Sequence, residues 1–494
     1  MKNSFSIIPF IGVAALLSKF TYGQNQDVVK SDTKKPNVIL ILADDLGYET
    51  LGCNGGLSYK TPVLDQLASQ GIRFTQCYSS PLCSPSRLGI MTGQYNFRNY
   101  EYFEYLSPTQ KTFGNLMKDA GYVTAIAGKW QLNGIRWGYP NSLDPSTVNH
   151  FGFDEYCMWQ LTRTKHAGER YANPALETNG GKMMEGLENA YGPDVLVDFI
   201  NNFIGKNKDK PFFVYYPMLL THNPFVTTAD SHDWNTTTNR YKEDNAYFTD
   251  MVTYMDKMVG KIVDKLKKEG LLENTIIIFT GDNGTNVNIV SKTNNGDVKG
   301  GKGYTINTGN HVPLIVVWPS TIKKPRVYDG LISFPDFLPT LADIAGVDDC
   351  SYDPDGKSFM PVFMGKNDPI QSEIFIHYTP EWGNFPSNRW VFNSTYKLYQ
   401  TGEFYNTVID PLELNKLTNL TQEEKSLHDR FDKILMDKEA EFPFKWSNAF
   451  DKNHRSMNPF SRQGASGEES DRPDGQRSGN PKIGKPVNVQ KGSD

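Results

Sequence analysis

Val38-Ile39-Leu40-Ile41-Leu42 is an unbroken apolar run rich in branched side chains. A strand with one wet face would alternate apolar and polar residues, so this run predicts a strand buried on both faces, as in a parallel sheet covered by helices. Val123 to Ala127, Phe212 to Tyr216, Thr275 to Thr280 and Leu314 to Trp318 repeat the pattern. Between them the period changes. Met251, Tyr254, Met255, Met258, Val259, Ile262, Val263 and Leu266 recur at helical spacing before Gly270, which predicts a long amphipathic helix ahead of the Thr275 strand. A shorter helix begins at Thr61-Pro62, as N-cap and first helical residue, carries Leu64, Leu67 and Ala68 on one face and stops at Gly71. This alternation from Asn37 to about Ser320 predicts an α/β/α sandwich around a large, mostly parallel sheet.

The pattern changes again near Pro369. Glu373 to Tyr378, Arg389 to Asn393, Tyr396 to Gln400 and Phe404 to Thr407 are short strands at close spacing, which predicts an antiparallel sheet, and Glu423 to Glu441 reads as a helix covering it. A large N-terminal domain over 36–368 and a smaller C-terminal subdomain over 369–457 are therefore expected. Residues 458–494 are rich in Ser, Gly, Pro, Asp and Lys and are expected to form a mobile tail. Asn141 to Lys182 has weak periodicity and is expected to be an insertion near the functional site.

Charge and leader narrow the function classes. The formal charge of −5 is spread along the chain, and no basic run is long enough to track a nucleic-acid backbone. An anionic ligand must then be drawn by local cations. Lys2, the apolar stretch Phe5 to Leu17 and Thr21-Tyr22-Gly23 read as a signal peptide over 1–23, with no lipobox cysteine after it, so a periplasmic or secreted protein is expected. No other stretch reaches the ~18 apolar residues of a membrane span, so no stable membrane insertion is expected. Five cysteines, Cys53, Cys77, Cys83, Cys157 and Cys350, are too few for a disulfide scaffold. Spacing leaves a Cys53–Cys77 pair open, and the absence of a CxxC pair leaves structural zinc without support.

Asp44-Asp45 directly follows the first buried strand, where open parallel sheets place their ligands. Alone it reads as a solvated turn. Gly281-Asp282-Asn283-Gly284 ends a second buried strand in the same way, and two strand ends offering four oxygen donors make a metal site the better reading. Calcium, which tolerates irregular oxygen shells, is the expected ion. Cys83 lies in Ser80-Pro81-Leu82-Cys83-Ser84-Pro85-Ser86-Arg87. A cysteine on a Pro-bounded turn before a helix, one turn ahead of an arginine, reads equally as a low-pKa nucleophile or as an inert buried thiol.

Cys83-Ser84-Pro85-Ser86-Arg87 resembles the C-x-P-S-R signature of the formylglycine-dependent sulfatases, in the alkaline-phosphatase-like superfamily. The resemblance covers most of Pro36 to about Leu420: Asn37 to Gly47 is similar to the family's opening strand and metal pair, and Thr280 to Gly284 to its second metal segment. Gly128-Lys129-Trp130, Thr221-His222-Asn223-Pro224, Gly300-Gly301-Lys302 and Asp410-Pro411-Leu412-Glu413 follow in family order. The resemblance implies a sulfatase in which a formylglycine-generating enzyme oxidises Cys83 and the hydrate of the product attacks sulfur. Asp44, Asp45, residue 83, Asp282 and Asn283 are the implied calcium ligands. Arg87 supports the nucleophile, Lys129 and Lys302 hold sulfate oxygens, and His222 protonates the leaving oxygen. Read alone, each lysine is a surface charge, Arg87 an exposed helix cation and His222 a loop residue or a satisfied buried imidazole. His150, His166, His232, His311, His377, His428 and His454 match no catalytic motif.

One position departs from the family. Gln131 stands after Trp130 where the pattern has a histidine, and glutamine cannot accept a proton near neutrality, which leaves the base for sulfate elimination open. The implied substrate is a sulfate ester, with sulfated carbohydrate favoured by export. Trp137, Tyr139, Trp159 and Trp382 offer sugar-stacking surfaces, although ordinary packing is the better reading of all four. A phosphonate or phosphate ester hydrolase of the same superfamily is the first alternative, and a catalytically silent sugar-binding relative the second.

Overall fold

The computed structural model describes residues 34–162, 170–236, 238–347, 351–383, 385 and 387–444. The expected signal peptide, the tail, His166, Cys350 and His454 lie outside the described residues.

The five apolar runs all become strands of one sheet: β1 (Asn37–Ala43), β3 (Val123–Lys129), β7 (Phe212–Pro217), β8 (Thr275–Gly281) and β11 (His311–Val317). They are joined by β2 (Ile72–Tyr78), β4 (Glu155–Trp159), β5 (Leu176–Thr178), β6 (Lys182–Met183), β12 (Arg326–Tyr328) and β13 (Ile332–Ser333). The order is β12-β2-β11-β8-β1-β7-β3-β4-β5-β6, with β13 also paired to β2. β1 runs parallel to β7 and β8, and β3 parallel to β7 and β4, whereas β11 is antiparallel to β2 and β8. A hairpin of β9 (Val290–Thr293) and β10 (Gly296–Lys299) stands apart.

β1 shows why its run has no polar gap. Ile39, Ile41 and Ala43 pack into one core with the helices Gly192–Lys206 and Tyr247–Lys268. Val38, Leu40 and Leu42 face a second core with Cys83–Thr92, Phe113–Asp119 and Phe337–Ala345. Helices thus cover both faces, giving the α/β/α sandwich. Strand β3 runs two residues past the expected Ala127, because Gly128 and Lys129 pair with Met158 and Trp159 of β4. A strand end made by a neighbour's hydrogen bonds leaves no apolar trace. Gly128, at φ 129°, has no room for a Cβ, which would sit 1.8 Å from Pro217 O.

Cys53 and Cys77 are free thiols, so the pairing left open by spacing does not form. Cys53 packs against one core and Cys77 sits in the other, on opposite sides of the sheet. Among the described residues no helix is long and apolar enough to cross a membrane.

The second sheet, β14 (Ile374–Tyr378), β15 (Asn388–Phe392), β16 (Tyr396–Tyr399) and β17 (Phe404–Asn406), is an antiparallel meander. The helix Gln422–Glu441 is capped by a reciprocal Thr421–Glu424 box and buries Phe431 and Leu435 against Phe375, Val391, Leu398 and Phe404. Glu413, the last residue of the Asp410-Pro411-Leu412-Glu413 turn, lies under the sheet with its carboxylate 2.8 Å from Lys397 Nζ and 2.5 Å from Tyr399 Oη. Lys397 also donates to Thr305 O, tying this pair to the loop that carries Lys302. Both charges are almost wholly hidden, at 1% exposure each. Lys397→Met is therefore expected to cost about 3–5 kcal/mol of unfolding free energy in urea melts, since it strands a buried carboxylate. Adding Glu413→Gln to Lys397→Met should return part of it, and a loss under 1 kcal/mol in the single variant would refute the pairing's role.

Candidate active site

The register of the central strands assembles the site. Ala43 of β1 pairs with Gly281 of β8, so Asp44-Asp45 and Asp282-Asn283 leave adjacent strand ends side by side. Asp45, at φ 60°, turns the chain so that its N–H donates to Asp282 Oδ1 at 2.9 Å. Asn283 Nδ2 donates to Asp45 Oδ1 at 2.8 Å, which leaves Asn283 Oδ1 buried without a hydrogen-bond partner among the described residues. The loop after β7 closes the third side, where Asp44 N donates to Leu220 O and Thr221 N to Asp44 O.

All four donors are buried. Burial pushes the Asp282 carboxyl well up, and the Asp44 and Asp45 charges add to it. Asp45 is also raised, by burial against the pull of Lys302. Asp44 goes the other way: burial acts upward, but the surrounding cations, Lys129 foremost, hold it well below the usual carboxylate range. Three crowded carboxylates and an orphaned amide oxygen fit a hard divalent cation, which would relieve the repulsion and take the free lone pairs.

Cys83 is the first residue of the helix Cys83–Thr92, rather than part of a turn before it. Its Sγ lies within 4.8 Å of carboxylate oxygens of Asp44 and Asp282. The low-pKa reading is overturned: burial pushes the thiol up, and Asp44 and Asp282 oppose the help of Lys129 and Arg87. An unmodified thiol here stays protonated and is a poor nucleophile. Arg87 is hidden, not an exposed helix cation, donating from Nε to Cys83 O at 3.3 Å and from Nη1 to Trp130 O, with Nη2 buried and unpartnered among the described residues.

Lys129 Nζ bonds both Asp44 oxygens, at 2.9 and 3.1 Å, and Lys302 Nζ bonds Asp45 Oδ2 at 2.7 Å. Neither is a surface charge. The Lys302 loop is pinned by Lys302 N to Thr285 O and Gly303 N to Pro81 O. His222 Nδ1 donates to Asn223 O at 2.6 Å, so Nε2 accepts from Lys302 Nζ at 3.1 Å and lies 3.8 Å from Asp45 Oδ2. Burial, with Lys302 and Arg170 adding to it, holds His222 well below the usual histidine range, so the imidazole is neutral here.

The structure brings together every site residue named from the sequence and adds Arg170 and Tyr171. Arg170 Nη1 donates to Asn223 O at 2.9 Å, and Tyr171 Oη donates to Leu219 O at 2.8 Å and to His222 O. Both sit in the stretch read as an insertion near the site, but nothing local marks them, because their partners lie about fifty residues away. Gln131, at φ 46°, donates from its side chain to Gln160 at the neighbouring strand end. Of the four aromatic candidates, Trp159 is buried beneath Arg170, Tyr139 stacks on Tyr105 and Trp382 on Phe103, while Trp137 remains 40% exposed.

Residues 36–347 match the family model described as Sulfatase, and residues 301–441 the one described as N-sulphoglucosamine sulphohydrolase, C-terminal. Human arylsulfatase A is 31% identical over 379 residues, spanning 70% of this chain and 71% of that protein. The N-acetylgalactosamine-6-O-sulfatase of Bacteroides thetaiotaomicron is 28% identical over 446 residues, 74% of this chain and 84% of that one. The crystal structure of Ps i-CgsB in complex with k-i-k-neocarrahexaose superposes with a TM-score of 0.68 at 26% identity, covering 85% of this chain and 96% of that chain.

Proposed function

Since the chain belongs to the sulfatase family of the alkaline-phosphatase-like superfamily and is a sulfuric ester hydrolase, we propose that it desulfates carbohydrate with a nucleophile made from Cys83. The observation that carries this reading is the meeting of Cys83 with Asp44 and Asp282 at one sheet edge, beside Lys129, Lys302 and His222. The carbohydrate assignment draws support from the N-acetylgalactosamine-6-O-sulfatase relative and the neocarrahexaose-bound neighbour. It also includes export through residues 1–23 and a catalytic part over 36–368 with a C-terminal subdomain over 369–457.

In this reading Asp44, Asp45, Asp282 and Asn283, with residue 83, hold calcium. Calcium supplies positive charge that favours ionised oxygen and draws electron density from sulfate. Residue 83, oxidised to formylglycine by a generating enzyme and hydrated by water to a geminal diol, furnishes one hydroxyl as the oxygen nucleophile. The remaining work falls to the chain's own side chains. Arg87 donates beside residue 83 and offsets the carboxylates. Lys129 and Lys302 hold the non-bridging sulfate oxygens, where charge grows as the S–O ester bond lengthens. A sulfate seated there puts an anion next to His222, which favours the imidazolium and lets Nε2 deliver a proton to the departing sugar oxygen. Gln131, whose side chain donates to Gln160, takes no proton.

Desulfation of a panel of defined sulfated saccharides by the formylglycine-bearing protein tests the function, and failure on every member would reject the carbohydrate assignment. For the metal, purified protein is expected to carry calcium at about one equivalent, and Asp282→Ala to lose it together with activity. Zinc at unit stoichiometry, or indifference to prolonged chelation, would reject the calcium site.

A further inference from the structure

Arg170 stands apart from the other cations of the site. Lys129 is committed to Asp44, Lys302 to Asp45 and His222, and Arg87 to the carbonyls of Cys83 and Trp130. Arg170 has no carboxylate partner among the described residues: Nη1 takes Asn223 O at 2.9 Å, and Nε is buried with no partner. Its guanidinium lies 4.3 Å above the ring of Trp159, which pairs across the sheet with Lys129. It is thus held over an indole at the end of β4, gripping the loop one residue from His222, and is half-buried.

A guanidinium held over an aromatic ring with no carboxylate partner among the described residues can receive an anion, in a fork that suits a carboxylate or a sulfate. Its charge already reaches into the centre, where it bears on both Asp44 and His222. In the proposed mechanism Lys129 and Lys302 turn to the scissile sulfate, so a further cation is surplus to a monoanionic ester.

We propose that Arg170 is a specificity-determining residue that binds a second anionic group of the substrate, a carboxylate or a further sulfate next to the one removed. This deepens the carbohydrate-sulfatase reading and rests on it. A chain of neutral sugars bearing one sulfate would then be a poorer ligand than a glycosaminoglycan-like one.

The test is competition against 4-nitrophenyl sulfate turnover by the full formylglycine-bearing chain, with three ligands of matched ring size. One is monosulfated, one disulfated, and one carries a carboxylate beside its single sulfate. The native protein is expected to bind at least one of the two second-anion ligands about tenfold or more tightly than the monosulfated one, and the favoured ligand identifies the anion. Arg170→Gln should erase that advantage, and Arg170→Lys should keep part of it. Equal inhibition constants in the native protein would overturn the proposal, as would an advantage that survives in Arg170→Gln. Cys83→Ala, assayed on the aryl sulfate alone, reports on the nucleophile separately: turnover persisting there would fault the proposed mechanism and leave the ligand ratio to judge Arg170.

Discussion

Cys83→Ala is expected to lower turnover of any sulfate ester by at least ~10⁴-fold, because nothing else in the site can replace an oxygen nucleophile carried by residue 83. The unmodified thiol does not serve, since burial and the neighbouring carboxylates keep it protonated. Alanine keeps the Cβ and suits the first turn of the Cys83–Thr92 helix, so the fold should survive. An unchanged near-ultraviolet circular dichroism spectrum would establish this. Mass spectrometry of the native peptide, produced with a formylglycine-generating partner, should show an aldehyde or its hydrate at residue 83. Full activity in the alanine variant, or a plain thiol in active protein, would remove the central claim.

His222→Ala is expected to suppress desulfation of a saccharide by ~10²–10⁴-fold, about 3–5 kcal/mol of barrier, and to leave 4-nitrophenyl sulfate nearly untouched. The contrast follows from the leaving group. A sugar alkoxide departs badly without a proton, whereas an acidic phenol departs without help. His222 Nε2 is the ring nitrogen left to carry that proton, since Nδ1 is spent on Asn223 O and Nε2 faces Lys302 Nζ at 3.1 Å. Removing the ring also frees Lys302, but weaker sulfate binding would affect both substrates alike. An equal loss on the two would therefore reassign His222 to binding or structure while the family membership stands.

Some of this architecture could be read from local order alone. β1 was visible because a strand covered on both faces has no polar positions, and the amphipathic helix before β8 because one face repeats at helical spacing. The two oxygen pairs were visible for a related reason: each follows such a strand immediately, and parallel strands bring their ends to a common edge. The Asp410-Pro411-Leu412-Glu413 turn stood out as a motif, but not the reason for its glutamate, which answers Lys397 beneath the C-terminal sheet.

What the amino-acid order determined by itself, then, was the class of sheet, the strand ends that carry the oxygen donors and the Cys83-Ser84-Pro85-Ser86-Arg87 motif, because each depends on residues close along the chain. The tertiary structure alone decided the rest. It carried β3 through Lys129 by pairing with β4, recruited Arg170 and Tyr171 to the His222 loop, and placed Cys53 and Cys77 on opposite faces. It also decided between the two readings of the Cys83 thiol. A helix start and a nearby arginine, both local, lower a thiol's pKa, but desolvation raises it, and how much water a side chain loses is set by every element packed around it.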